Sequence, residues 1–164
     1  MPEPRGVVSA VGQLVALVTD ITARLQAVEL VAHRHDVAWT DFNPVWAQSV
    51  AIAKTINLSR YARIGNTILF SGSLTATSAG TAANTITLTL PVTPLYLNSI
   101  RGGLGSGIFD DVSATTNYML VAATVGGVVQ FRSDGSTGSA FGVAPAVTVA
   151  AGDVLAWSFA YEVA

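Results

Sequence analysis

The sequence predicts a mostly β protein with an N-terminal α-helix: a trimeric parallel coiled-coil stalk followed by a jelly-roll-like antiparallel β-sandwich head. Three observations predict it. Apolar residues repeat with heptad spacing near the N-terminus, apolar and polar residues alternate from about residue 56 onward, and 51% of the residues are hydrophobic while 11% are charged. Ordinary soluble domains carry roughly 25% charged residues. We therefore expect an obligate oligomer that covers part of its own surface.

The expected domains are a docking peptide and stalk at 1–36, a connector at 37–57 and the head at 58–164. The stalk prediction depends on an apolar seam with alternating spacings of four and three residues. Its members, the predicted trimer interface, are Val7, Val11, Leu14, Val18, Ile21, Leu25 and Val28. This spacing is that of heptad positions a and d in a coiled coil.

The residue types in the seam bear on the number of helices in the coiled coil. Val at a with Leu at d suits two helices, whereas Ile21 at d and Leu25 at a favour three or more, and apolar residues beside the seam widen the apolar face. These features predict a homotrimer. The alternative is one amphipathic helix that packs on its own domain.

We expect no membrane insertion by this segment. Residues 7–32 are rich in Val, Leu and Ala, but Asp20 and Arg24 interrupt them before the roughly 18 to 20 apolar residues that a spanning helix needs. Arg5 followed by residues 7–18 is similar to the start of a signal peptide. The helical register of the apolar residues continues past any cleavage point, which argues against that reading.

The head is predicted from alternating segments separated by turn residues. The expected strands are Leu58–Ile64, Thr67–Leu74, Thr85–Leu90, Leu104–Phe109, Asn117–Val125, Val128–Ser133 and Val154–Val163. This spacing is typical of β-sandwiches. Gly126 and Gly127 between two strands predict a two-residue hairpin turn. The last strand has bulky residues on one face and small residues on the other, which predicts a central place in its sheet.

Four segments carry a resemblance to a known group of proteins. They are Trp39–Trp46, Arg60–Thr67, Leu90–Thr93, and Gly152–Asp153 together with Tyr161–Glu162. In order and approximate spacing they resemble the carboxy-terminal head of minor tail and fibre-type virion proteins of tailed phages that infect actinobacteria. The resemblance covers residues 38–164. It implies a non-enzymatic structural protein with a β-sandwich head on the exterior of the virion.

This resemblance is compatible with two locations of the protein in the virion, the tail and the capsid. As a trimeric fibre or spike of the tail, the protein would bind other virion proteins and contact a host cell-surface glycan or protein through loops that the scaffold positions. The loops expected to make this contact are 75–84, 101–118 and 134–145. The candidate receptor contacts are Phe109, Tyr118 and Phe141, and packing in the core is the alternative role for each of them. Minor tail proteins usually carry a longer anchoring region before the head, so a capsid decoration protein or head fibre docked on the shell through its N-terminus is the alternative.

His33 and His35 are the predicted metal ligands. If the chain is extended after the helix, both imidazoles lie on one side of it. A threefold axis would then gather six imidazoles into a site suited to a transition metal such as iron or nickel. The alternative is that both residues finish the helix, where a cation meets the negative end of the helix dipole. No other cofactor is expected.

The remaining polar residues do not indicate an enzyme. Both histidines precede the head, so the head cannot hold a Ser-His-Asp arrangement. Asp110 and Asp111 supply too few oxygens for calcium and are expected in a solvated turn. No acidic residue lies between Asp41 and Asp110, which disfavours a glycosidase-like pair of carboxylates. The net charge of −2, without a basic stripe, disfavours nucleic acid as a partner.

Overall fold

A computed structural model of the chain describes residues 12–25, 37–95, 98–99, 104–133 and 139–164. The chain divides into two compact units, Met1–Val37 and Ala38–Ala164. In the first unit, residues 12–25 form helix α1. The strands of the second unit are β1 (Thr40–Asp41), β2 (Trp46–Gln48), β3 (Val50–Ala51), β4 (Lys54–Ile64), β5 (Thr67–Ala76), β6 (Ile86–Thr89), β7 (Asn98–Ser99), β8 (Gly105–Asp111), β9 (Thr116–Val125), β10 (Val128–Ser133) and β11 (Val154–Glu162).

Four polar side chains of α1 have partners within the helix. Arg24 Nε lies 3.0 Å from Asp20 Oδ2, one turn earlier. The hydroxyl of Thr19 donates to the carbonyl of Val15 at 2.9 Å, and Thr22 makes the same bond to an earlier carbonyl at 2.8 Å. The apolar side chains of this helix, in contrast, are exposed.

The strands form one antiparallel sheet in the order β1-β4-β5-β11-β8-β9-β10-β6-β2-β3, with β7 paired to β9. Strands β1 and β2 lie near opposite ends of this order, but only residues 42–45 separate them in sequence. Such a short segment spans at most about 18 Å. The two ends of the sheet must therefore lie near each other, and the sheet is curled around its apolar face.

The last strand has the central position that the sequence predicts. β11 pairs with β5 on one side and with β8 on the other. Its four inward residues are no more than 5% exposed; they are Leu155, Trp157, Phe159 and Tyr161. The rings of Trp157 and Phe159 pack edge to face with the ring of Phe70. Their centroids lie 5.2 Å and 5.4 Å from that of Phe70. The core of the curled sheet is built around this aromatic row.

The predicted hairpin turn at Gly126 and Gly127 is present. Val125 pairs with Val128, and Gly126 and Gly127 between them have φ values of +60° and +82°. Positive φ at both central residues is what a type I′ turn requires. Gly65, with φ +58°, begins the corresponding turn between β4 and β5.

The expected connector is the main correction to the predicted organisation. Residues 38–57 belong to the second compact unit and provide β1, β2, β3 and the start of β4. Trp46 and Gln48 are fully buried there. Strands of two or three residues are too short to show alternation, and Pro44 between aromatic residues indicates a loop more strongly than a strand.

Candidate functional site

Exposed apolar side chains form a stripe along α1. Its members occupy the predicted seam: Leu14 is 61% exposed, Val18 54%, Ile21 47% and Leu25 59%. Burial of such a side chain contributes roughly 1.5 to 3 kcal/mol. A helix of about this length is marginal in water unless it packs against something. The stripe is therefore a surface that requires a complement.

The stripe is wider than the a and d positions alone. Val15 is 60% exposed and Leu17 56% exposed, and both flank the seam. A two-helix coil buries a narrow seam, whereas each helix of a larger bundle contacts two neighbours and buries a broader one. The other seam residues, Val7, Val11 and Val28, lie outside the described residues.

A second candidate surface is the outward face of the curled sheet. Strand register places Arg60, Ser71, Ser158, Ser106, Val121 and Arg132 in one row across β4, β5, β11, β8, β9 and β10. The side chains between the two arginines are small or uncharged. The adjacent row contains Ile108, 45% exposed, opposite Met119, 62% exposed. This face permits close approach of another apolar surface because small residues occupy its centre.

The structure places the predicted receptor contacts in the core. Phe109 and Phe141 have no exposed surface, and their ring centroids lie 5.4 Å apart. Tyr118 is partly buried, with its ring 5.1 Å from that of Phe141. Residues of β8 alternate between inside and outside, and Phe109 falls on the inside. Phe109 and Phe141 are therefore packing residues, which is the alternative to receptor contact that the sequence left open.

Asp111 is also buried where a solvated turn was expected. It is 5% exposed, and its Oδ1 accepts hydrogen bonds from the Ser113 hydroxyl at 2.8 Å and from the Ala114 amide at 2.9 Å. The carboxylate thus closes the turn between β8 and β9. Its partners are turn groups of its own hairpin, which gives it a structural role.

The predicted metal ligands His33 and His35 lie outside the described residues. Within the described ranges, no three His, Cys, Asp or Glu side chains are grouped closely enough to hold a metal ion. The helix that the structure describes is also not long and apolar enough to cross a membrane.

Sequence reasoning identified the helix stripe but not the uncharged row of the sheet. The row depends on the register of six strands that are distant in sequence, and no local pattern encodes it. Comparison of the chain with protein families, curated proteins and solved structures found no match.

Proposed function

We propose that this chain is a non-enzymatic structural protein of a phage virion, a surface-exposed homotrimer with a coiled-coil stalk and a jelly-roll-like head. The observation that carries the proposal is the exposed apolar stripe on α1. Four successive seam residues there are 47–61% exposed. A protein that works alone in solution gains nothing from such a stripe, whereas an assembling protein buries it.

An identical copy is the complement that best fits the stripe. The spacing of four and three residues is the one that keeps two supercoiled helices in continuous contact. The ion pair between Asp20 and Arg24 is internal to the helix, so the seam contains no charge that would need a foreign partner. The breadth added by Val15 and Leu17 favours three helices over two.

The outward face of the sheet supports close packing of three heads. Small side chains at its centre and exposed Ile108, Met119 and Val121 beside them form a surface suited to contact with another apolar face. Sheets pack about 10 Å apart when their facing side chains are small enough to interdigitate. A trimer would cover part of this face, which accounts for a chain with 11% charged residues.

The virion role is supported by the resemblance of residues 38–164 to heads of phage minor tail and fibre-type proteins. Such a protein binds its own copies and neighbouring virion proteins, and its head is available to a host cell-surface glycan or protein. Labelling of intact particles with antibody to the head tests the location. Label at the tail agrees with the fibre role, and label over the shell identifies a decoration protein or head fibre.

The assembly itself is tested by charges placed in the seam. Ile21→Asp with Leu25→Asp should convert the trimer to a monomer, because carboxylates buried at a and d have no cation to pair with. The matched control is Ala16→Asp with Ala23→Asp, which adds the same charge at exposed positions of the same helix away from the seam. The masses of both variants are measured by light scattering. A trimeric seam variant would eliminate the coiled-coil assembly.

A further inference from the structure

Three exposed apolar side chains adjoin one another on the outward face of β8 and β9. Ile108 is 45% exposed, Met119 62% and Val121 49%. Ile108 and Met119 lie opposite each other in the ladder, and Val121 follows Met119 on the same face of β9. Apolar residues scattered singly are normal on a protein surface, whereas contiguous ones mark contacts with other surfaces. These three residues are called the apolar ridge below.

A flat area without charge adjoins the apolar ridge on β5 and β11. The strand register continues both rows of the ridge onto these two strands. The side chains there are no longer than serine, so an opposing surface can come close to the backbone. The members of this flat face are Ser71, Ser73, Ala156 and Ser158.

The apolar ridge and the flat face complement each other in shape and charge. The ridge projects from the sheet where the flat face does not, and none of the seven residues is charged. Their contact would therefore bury no unpaired ion, which is the costly event in most interfaces. The two areas lie side by side on one molecule and cannot touch each other. The ridge of one copy has to meet the flat face of a second copy, and contacts of this kind repeat around a ring.

The curl of the sheet sets the number of copies in such a ring. A full turn shared among the ten strands of the main order amounts to about 36° per strand. The flat face is centred between β5 and β11 and the ridge between β8 and β9, two strands further, so the two point about 70° apart. The two contact faces of each copy point about 60° apart in a ring of three and about 90° apart in a ring of four. The observed spacing is closer to a ring of three.

The size of the two areas favours a partner that is already held nearby. Each area is two strands wide and two outward residues long, about 10 Å by 13 Å. Two such areas per copy amount to a few hundred Å², whereas a standard interface buries roughly 800 Å² per partner. A freely diffusing protein gains too little from so small a contact. A copy tethered through the proposed helix contact is present at a high effective concentration and needs less.

We infer that the heads contact one another in a closed ring of three, with the apolar ridge of each copy on the flat face of the next. The inference rests on the proposed trimer and adds which surface each head presents. With the axis parallel to the strands, the boundary between β11 and β8 faces the axis, and rows of equal height meet. Val121 of one copy then faces Ser71 of the next, and Ile108 faces Ala156.

The test uses disulfides in the full chain, which contains no cysteine of its own. Ser71 and Val121 lie three strand spacings apart within one copy, about 14 Å. A disulfide joins Cα atoms less than about 7 Å apart, so it cannot form within a copy. Ser71→Cys with Val121→Cys should therefore give a covalent trimer on a non-reducing gel after mild oxidation. Each single variant is the matched control and should remain a single chain.

A charge placed in the flat face tests the same contact. Ala156→Glu, added to the double-cysteine variant, should lower the yield of covalent trimer about 10-fold or more, because its carboxylate is buried without a cation. Gln130→Glu adds a charge on the outward side of β10, beyond the ridge, and should leave the yield unchanged. Equal yields from both variants would show that the flat face is not in contact.

The remaining outcomes separate this inference from the proposed assembly. Disulfide-linked dimers from either single variant would overturn the inference, because a residue that meets its own copy belongs to a twofold contact. No covalent trimer in a sample whose light-scattering mass is that of three chains would also overturn it, and would leave the assembly through α1 standing. A short bis-maleimide on the reduced variants ensures that the orientation of the thiols does not decide this result. A mass of one chain would overturn both proposals.

Discussion

Gln48 holds three distant segments of the head together through one buried amide. The residue is fully buried. Its Nε2 donates to the carbonyls of Asn84 at 3.1 Å and Val147 at 2.6 Å, and its Oε1 accepts from the Val149 amide at 3.0 Å. A glutamine in a short strand carries no sequence signal for this role, because its partners lie 36 to 101 residues away.

Gln48→Leu should reduce the free energy of unfolding by about 3 kcal/mol, because it removes the partner of three backbone groups, two of them buried and one partly buried. Gln130→Leu is the matched control on the outward side of β10 and should change the free energy by less than about 0.5 kcal/mol. Urea denaturation at one fixed protein concentration measures both. A loss below about 1 kcal/mol for the Gln48 variant would contradict the bridging role.

Tyr161 is a buried titratable group. Its hydroxyl donates to the Val92 carbonyl at 3.0 Å and accepts from the Val92 amide at 3.3 Å. Burial raises the pKa of Tyr161 from 10.0 to about 12, partly opposed by the hydrogen bond from the Val92 backbone. Between these two values the unfolded chain releases a proton that the folded chain retains.

The fold should therefore lose stability as the pH rises from about 10 to about 12, by roughly 2 kcal/mol from this residue. Tyr161→Phe cannot ionise and should show a shallower loss over the same range, although it is less stable at neutral pH. Urea midpoints measured at several alkaline pH values give both slopes. Identical slopes for the two proteins would show that Tyr161 does not hold its proton in the folded state.

At the scale of elements, the sequence predicted the long strands because each contains several repeats of apolar and polar residues in alternation. The predicted Val128–Ser133 coincides with β10, and the predicted Val154–Val163 extends one residue beyond β11. Strands β1, β2, β3 and β7 were missed, since two or three residues contain no repeat.

Substitutions in the turn between β9 and β10 separate the effect of backbone conformation on stability from the effect of side-chain packing. Gly126 has φ +60°, and a Cβ added there meets no atom within 4 Å. Gly126→Val should cost about 1 to 2 kcal/mol of unfolding free energy, because a β-branched residue is strained in the left-handed region. Gly126→Asn, which tolerates that region, should cost clearly less. Equal losses in chemical denaturation would refute a conformational cause.

At the scale of the whole molecule, two surfaces without a partner occur in a chain with few charges. The side chains of the α1 stripe are about half exposed. On the outer face of the sheet, the row between Arg60 and Arg132 contains no charged side chain. Four polar side chains of the helix, those of Thr19, Asp20, Thr22 and Arg24, have partners within it. We propose that further copies of the chain cover both surfaces, and the proposed function depends on this claim of self-assembly.

Sedimentation equilibrium of the purified wild-type chain tests that claim most directly. The account predicts a mass three times the 16.9 kDa of one chain, maintained on dilution. A mass of one chain at all concentrations would contradict it, and the helix stripe would then have to be covered by a different protein.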